Sequence, residues 1–303
     1  MRKVYFDYIT SKIILKKGCE VFHGWNGQAL RSIKSAKKIG AKTIIESGST
    51  HRTYKNEVLS SEYRKFGINI KRSTEAYEKA SFEELALADF IFLPSEFAKK
   101  SFIEAGFGQD MLFVIERGAD LSRFVPGNPD NKTFKVLFVG RVSLRKGVQY
   151  LLEAWNSLKL KNSELIIAGA IDDTIRPVLS KYARNQNIKF TGFLKDPSSI
   201  YRDAHVFVFP SLEEGSAKVT FEAMASGMPV ITTANSGSIV RDSIDGFIIT
   251  PADATAIKEK ILYFYENPGE LKVMGANAVE RAKPYTWERY RNKLIDTYER
   301  LFN

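Results

Sequence analysis

The chain is expected to fold as two α/β halves, each built on a parallel sheet. Three observations predict this. Short apolar runs rich in Val, Ile and Phe recur along the chain and read as buried strands. Segments of helical length separate them, and that alternation implies parallel strands covered by helices on both faces. A stretch of turn-forming residues, Gly127-Asn-Pro-Asp-Asn-Lys132, breaks the series into a half over 1–127 and a half over 133–284.

In the first half, Glu20-Val-Phe-His23 reads as a strand, Gln28 to Ile39 as a helix and Thr43-Ile-Ile-Glu46 as a strand. Leu87 to Leu93 is another strand. Ser95 then caps a helix to about Ala105, and Leu112 to Ile115 closes the half as a strand. Strands of the second half are expected at Lys135–Val139, Glu164–Ala168, Ile188–Phe190, Val206–Phe209, Val230–Thr232 and Phe247–Ile249. A final helix runs from Trp287 to Leu301 within the terminal segment 285–303.

Composition narrows the function classes. The 303 residues suffice for two domains, and 44% hydrophobic with 26% charged residues is ordinary for a globular protein. No apolar run approaches the roughly 20 residues that span a bilayer, and the amino terminus has no secretory signal pattern. The single cysteine, Cys19, rules out an intrachain disulfide, fits a reducing cytoplasm and reads as a small core residue. His23, His51 and His205 form no metal-ligand spacing with cysteine.

The net charge of +10 is unevenly placed. Residues 1–75 hold 16 Lys and Arg against 6 Asp and Glu, which accounts for the whole excess. Arg31, Lys34, Lys37 and Lys38 lie on the helix expected from Ala29 to Ile39. They form either a solvated face or a surface for anionic lipid or an anionic acceptor. No nucleic-acid motif accompanies the charge, so nucleic acid is not expected as a partner.

The most informative stretch is Pro210-Ser-Leu-Glu-Glu-Gly-Ser-Ala-Lys-Val-Thr-Phe-Glu222-Ala-Met-Ala-Ser-Gly-Met-Pro-Val230. The strand Val206–Phe209 leads into a turn with Gly215 and Ser216, then a helix from about Ala217 to Ser226. Gly227 and Pro229 end that helix. The helix amino end therefore faces the carboxyl end of a strand, where open α/β sheets bind ligands and where free N–H groups suit a phosphate. Glu214 in the loop and Glu222 on the helix can both reach that crevice. Two acceptor-only carboxylates beside an anion site suit a sugar attached to a phosphate.

This stretch resembles the retaining GT-B glycosyltransferases of the family 4 type. Pro210, Ser211, Glu214, Gly215, Glu222, Ala223, Ala225, Gly227, Pro229 and Val230 all fall on the signature. Further likenesses cover nearly the whole chain: Ala88-Asp89 with Pro94-Ser95, Gly118-Ala-Asp120 with Phe124 and Pro126, and Gly140-Arg141 with Lys146-Gly147. Thr191-Gly192-Phe193 resembles the turn that meets the nucleobase. The resemblance implies a GT-B fold, two Rossmann-like domains with parallel sheets facing across a cleft, an acceptor side in 1–127 and a nucleotide-sugar side in 133–284. The helix of 285–303 would cross back to the first domain. Two departures stand out. The chain begins close to the strand before the basic helix, so the first domain is expected to lack its first elements and transfer by this chain alone to be weak. Thr43-Ile-Ile-Glu46 ends where the family often has a histidine, which leaves Glu46 or His51 to take that place.

The implied reaction moves a sugar from a UDP- or GDP-linked donor to a saccharide or lipid-linked acceptor, with retention and without a metal or other cofactor. Such work belongs to polysaccharide or cell-envelope synthesis at the cytoplasmic face of a membrane. Breaking the sugar–phosphate bond leaves negative charge on the diphosphate. Arg141 and Lys146, just after the strand Lys135–Val139, can neutralise it where other folds use an Asp-x-Asp metal site. Arg145 reads as their solvated neighbour, Glu213 as a surface carboxylate, and Asp172-Asp173 as a helix cap. By the resemblance Glu222 accepts from the ribose and Glu214 lies near the donor sugar. Gly140, Gly192 and Phe193 frame the nucleotide, and Gly215, Ser216 and Ala217 offer backbone N–H groups. Thr220 reads equally as a phosphate contact or an ordinary helix residue. His205 reads as structural, and Trp25 as an acceptor-side stacking ring or a rim aromatic. A nucleotide-sugar epimerase of the same fold or a non-catalytic binding module remain alternatives. A glycoside hydrolase ranks below both, because it needs no cation pair.

Overall fold

The structure is a computed structural model that describes residues 2–69, 74–130 and 132–302. Within the ranges given above, residues 1, 70–73, 131 and 303 lie outside these. The chain divides into two compact units, Met1–Lys55 with Asn69–Glu116, and Asn56–Ile68 with Arg117–Asn303.

The first unit opens with a helix the sequence pattern does not show, α1 (Arg2–Lys17), followed by β1 (Val21–Trp25), α2 (Leu30–Lys38) and β2 (Lys42–Glu46). Helix α3 (Arg52–Lys65) starts here and from Asn56 onward belongs to the second unit. The first unit resumes with α4 (Glu75–Leu87), β3 (Phe90–Leu93), α5 (Glu96–Glu104) and β4 (Leu112–Val114). Its four strands pair in parallel in the order β1-β2-β3-β4. The strand expected to start at Leu87 starts three residues later, because α4 runs through Leu87 and the Asp89 carboxylate accepts from Thr43 N–H at 2.8 Å. Ser95 caps α5 through Ala98 N–H.

Helix α1 inverts the usual amphipathic plan. Its buried residues are Asp7, Ser11 and Ile14, while Val4, Tyr5, Phe6, Ile9, Ile13 and Leu15 are exposed. Asp7 explains the inversion. Its carboxylate accepts from Arg31 N–H, Ser32 N–H and Ser32 Oγ, capping the first turn of α2. Buried Glu84 on α4 accepts from Gly27 N–H and Ala29 N–H in the preceding loop. The amino end of α2 is therefore closed by carboxylates of the chain itself. Cys19 is half-buried against this unit's core.

The second unit is a six-stranded, fully parallel sheet. Its elements are β5 (Phe134–Val139), α6 (Val148–Leu158), β6 (Ser163–Ala168), α7 (Arg176–Leu179), β7 (Ile188–Gly192), α8 (Ser198–Arg202), β8 (Val206–Phe209), α9 (Lys218–Ala225), β9 (Val230–Thr233), β10 (Gly246–Ile249), α10 (Ala254–Glu266), α11 (Pro268–Ala282) and α12 (Trp287–Phe302). The spatial order is β10-β9-β8-β5-β6-β7. The chain builds outward from β5 through β6 to β7, then returns to the other side of β5 as β8. Strand order reverses between β5 and β8, and the crevice beyond their carboxyl ends is where such sheets hold ligands. Stacked Phe138, Phe209 and Phe207 join the two strands in the core, with centroids 5.6 and 6.2 Å apart.

Candidate donor site at the strand switch point

Two loops meet beyond β5 and β8. The first is Gly140 to Gly147, closed by a 3₁₀ turn at Leu144–Lys146. The second is Pro210 to Ala217, leading into α9. Leu212 N–H donates to Arg145 O at 2.9 Å, which ties the loops together. Gly147 has φ +71, and a Cβ there would lie 1.9 Å from Pro210 O, so only glycine allows this approach.

The loops bring the expected cation and carboxylate into contact. Lys146 Nζ is ion-paired with Glu214 Oε1, and its ammonium lies 5.2 Å from the Phe209 ring centroid. Arg141 is the exposed member, with Nη1 3.3 Å from Asp172 Oδ2. Asp172 also accepts from Thr174 N–H and Oγ, as a cap should, and these bonds with Arg141 hold its pKa below the usual carboxylate range.

Two readings of this site need correction. Glu213 is fully buried rather than on the surface, and Arg145 is its partner rather than a solvated neighbour. Arg145 Nε donates to Glu213 Oε2 at 2.9 Å and to Glu213 O at 3.0 Å, while Nη2 lies 3.4 Å from Glu214 Oε1. A buried carboxylate needs such a partner. Spacing along a loop does not show which of two adjacent glutamates turns inward. The site thus holds two basic side chains against two carboxylates.

Glu222 stands apart from these cations. Its Oε2 accepts from Tyr201 Oη at 2.9 Å, and burial raises its pKa despite that bond and the nearby Lys218 and Arg123. Tyr201 is itself fully buried on α8, and no sequence motif points to it. Two other expected contacts are engaged within the fold. Ala217 N–H donates to Ser236 O at 3.0 Å, and the buried Thr220 hydroxyl donates to Ala217 O at 2.7 Å. Helix α9 begins at Lys218, one residue later than expected. Gly140 (φ +148) follows β5, Gly215 is buried and Ser216 half-buried in the second loop, and Gly192 (φ +71) ends β7. Phe193 beside it is 76% exposed, an open ring face. His205 is structural, its Nδ1 accepting from Lys135 N–H at 3.1 Å.

Tyr63 on α3 is a site neighbour the sequence reading does not include. It packs against the second unit's core, and its hydroxyl meets the Thr174 side chain and the Arg145 backbone. No signal near residue 63 announces this, since the helix reaches the second unit from a distant part of the chain.

The acceptor-side candidates lie in the first unit. Trp25 and Glu46 are register partners at the carboxyl ends of β1 and β2. Trp25 is half-exposed, whereas Glu46 is buried with Oε2 3.7 Å from His23 Nε2. His51 is buried among Phe82, Phe102 and Phe107, and its Nδ1 has no hydrogen-bond partner among the described residues. Its surroundings are those of a packed ring rather than an open site. Among the described residues no group of three or more His, Cys, Asp or Glu could hold a metal ion, and no helix is long and apolar enough to cross a membrane.

Residues 133–267 match the model of the family described as glycosyl transferases group 1. The capsular polysaccharide biosynthesis glycosyltransferase CapM of Staphylococcus aureus is 32% identical over 160 residues, covering 50% of this chain and 42% of that protein. The O-antigen chain mannosyltransferase B of Escherichia coli is 26% identical over 246 residues, covering 74% and 64%. The chain thus spans about two fifths to just under two thirds of the length of these relatives. Among solved structures, HepE of Anabaena in complex with UDP superposes with a TM-score of 0.78 at 16% identity, covering 97% of this chain and 82% of that one. Sucrose-phosphate synthase from Thermosynechococcus elongatus gives 0.74 at 22% identity, covering 98% and 77%. The fold is GT-B-like, with two parallel sheets of the Rossmann-like kind.

Proposed function

We propose that the second unit binds a UDP- or GDP-linked sugar at the β5–β8 switch point and that the protein transfers the sugar to a saccharide or lipid-linked acceptor. Transfer proceeds with retention and without a metal. The observation that carries this reading is the joining of Lys146 to Glu214, with Arg141 on the same loop as Lys146, at the crevice where the strand order reverses. As the bond from the anomeric carbon to the diphosphate breaks, both electrons leave with the diphosphate. Fixed cations stabilise that charge without the need for a metal. A lysine ammonium has three N–H groups, so Lys146 can hold Glu214 and a phosphate oxygen together. Glu222, desolvated and steadied by Tyr201, is suited to accept ribose hydroxyls. Relatives named for capsule and O-antigen synthesis support a cell-envelope saccharide product, and a HepE complex with UDP-glucose supports a nucleotide-sugar donor. The transferase and synthase names leave the epimerase alternative without support.

An anionic membrane surface at the cytoplasmic face is the second proposed partner. The whole +10 excess lies in residues 1–75, and α1 interleaves exposed apolar residues with Lys12, Lys16 and Lys17. That mixture suits a helix lying in the headgroup region. Incubation with UDP- and GDP-sugars, with and without saccharide and lipid-linked acceptors, tests the reaction by NMR of the product anomer. A retained anomer in chelator is expected. An inverted anomer, or a product with an altered sugar and no acceptor, would contradict the proposal.

A further inference from the structure

Helix α3 leaves the first unit and, over Asn56–Ile68, packs as part of the second. Its Glu62 carboxylate is almost fully buried there. Oε1 accepts from Gln149 Nε2 at 2.8 Å and from Tyr150 Oη at 2.8 Å, and Oε2 accepts from Lys65 Nζ at 2.9 Å. Gln149 Nε2 has a second acceptor, Leu144 O, at 2.9 Å. Leu144 opens the 3₁₀ turn that carries Lys146, three residues after Arg141. Both partners of Nε2 are acceptors, so the amide can face only one way. Its Oε1 is then buried without a hydrogen-bond partner among the described residues. An orphaned buried oxygen is unfavourable and persists only where the surrounding bonds impose it. The next residue of α3, Tyr63, meets Thr174 and the Arg145 backbone, and Thr174 holds the Asp172 that pairs with Arg141.

We propose that Glu62, through Gln149, is a positioning residue that fixes the cation loop Arg141–Lys146 for a diphosphate. The chain Glu62 carboxylate, Gln149 amide, Leu144 carbonyl sets the loop backbone from which Arg141 and Lys146 project. The inference rests on the nucleotide-sugar reading for its ligand, but the buttress itself is a property of the free protein.

The test uses the full chain in two measurements. Calorimetry with UDP and GDP compares wild type with Gln149→Leu, Glu62→Gln and Lys65→Met. The last removes a half-exposed donor to the same carboxylate and leaves Gln149 and Leu144 untouched. Gln149→Leu and Glu62→Gln are expected to weaken the better-bound nucleotide about tenfold. The double variant should lose no more than the worse single variant, and Lys65→Met should stay within twofold. Hydrogen exchange of the 141–147 amides, with no ligand present, should be at least tenfold faster in Gln149→Leu than in wild type, while the β6 amides are unchanged. Nucleotide affinity within twofold of wild type in Gln149→Leu would overturn the positioning role. If wild type binds neither nucleotide, the donor reading fails, and exchange alone decides the buttress: unchanged protection of 141–147 would sink it.

Discussion

Individual side chains make the donor site testable. Glu222 is held by Tyr201 and desolvated, so a ribose hydroxyl would meet a carboxylate with little competing water. Hydrogen bonds to charged groups are worth about 1.5–3 kcal/mol. Glu222→Ala should therefore weaken nucleotide and donor alike by roughly tenfold to a hundredfold in calorimetry. Glu214→Ala should chiefly lower turnover, because its partner Lys146 stays in place. Equal nucleotide affinity in Glu222→Ala and wild type would contradict the assignment. His23 gives a pH prediction in the first unit. Burial lowers its pKa from 6.5 to about 4, outweighing the Glu46 carboxylate 3.7 Å away. The folded chain thus holds His23 neutral while the unfolded chain takes up a proton near pH 6.5. Stability is complete above that value and falls as the pH drops toward 4, by up to about 3 kcal/mol. Urea unfolding at pH 7 and pH 4.5 should show this loss, and His23→Phe should reduce it. An unchanged pH dependence in that variant would assign the effect to other groups.

At the scale of elements, the loop after β5 and the loop after β8 are fitted to each other through Gly147. Gly147→Ala combines a φ of +71 with a Cβ 1.9 Å from Pro210 O, so it should destabilise by more than about 1 kcal/mol and weaken nucleotide binding together. Denaturation and calorimetry on the same variant check both effects. Much of this architecture is legible in the sequence. Strands buried on both faces, such as Val206–Phe209 and residues 136–138 of β5, are continuous apolar runs and announce themselves. Lys146 and Glu214 are found because each falls on a position of the motifs that the loops after β5 and β8 resemble. What is not legible depends on long-range partners. Helix α1 hides because its inward face carries Asp7, which caps α2, and Ser11, whose hydroxyl donates to Tyr8 O, rather than an apolar stripe. Glu213 and Arg145 look like solvent-facing neighbours of the motif until the fold buries one against the other. Glu62 meets Gln149, and Tyr63 meets the second unit's core, only because α3 joins that unit.

Across the whole molecule, charge and donor site are separate properties. The basic excess of residues 1–75 is partly compensated, with Lys34 paired to Glu83 and Lys37 to Asp89. Each basic residue left near anionic lipid contributes about 1 kcal/mol, so binding to vesicles should be measurable and salt-sensitive. Flotation with vesicles containing anionic lipid should show bound protein at low salt. Replacing Arg31, Lys34 and Lys38 together should reduce it, with Lys34 contributing least because of its partner. Flotation that ignored both salt and these charges would remove the membrane from the account. The donor site is tested most directly by calorimetry of UDP- and GDP-sugars on the full chain in EDTA, for wild type and Lys146→Ala. The account predicts that wild type binds one of them in the chelator and that Lys146→Ala binds it at least tenfold more weakly. Binding that disappears with EDTA, or that Lys146→Ala leaves intact, would contradict it.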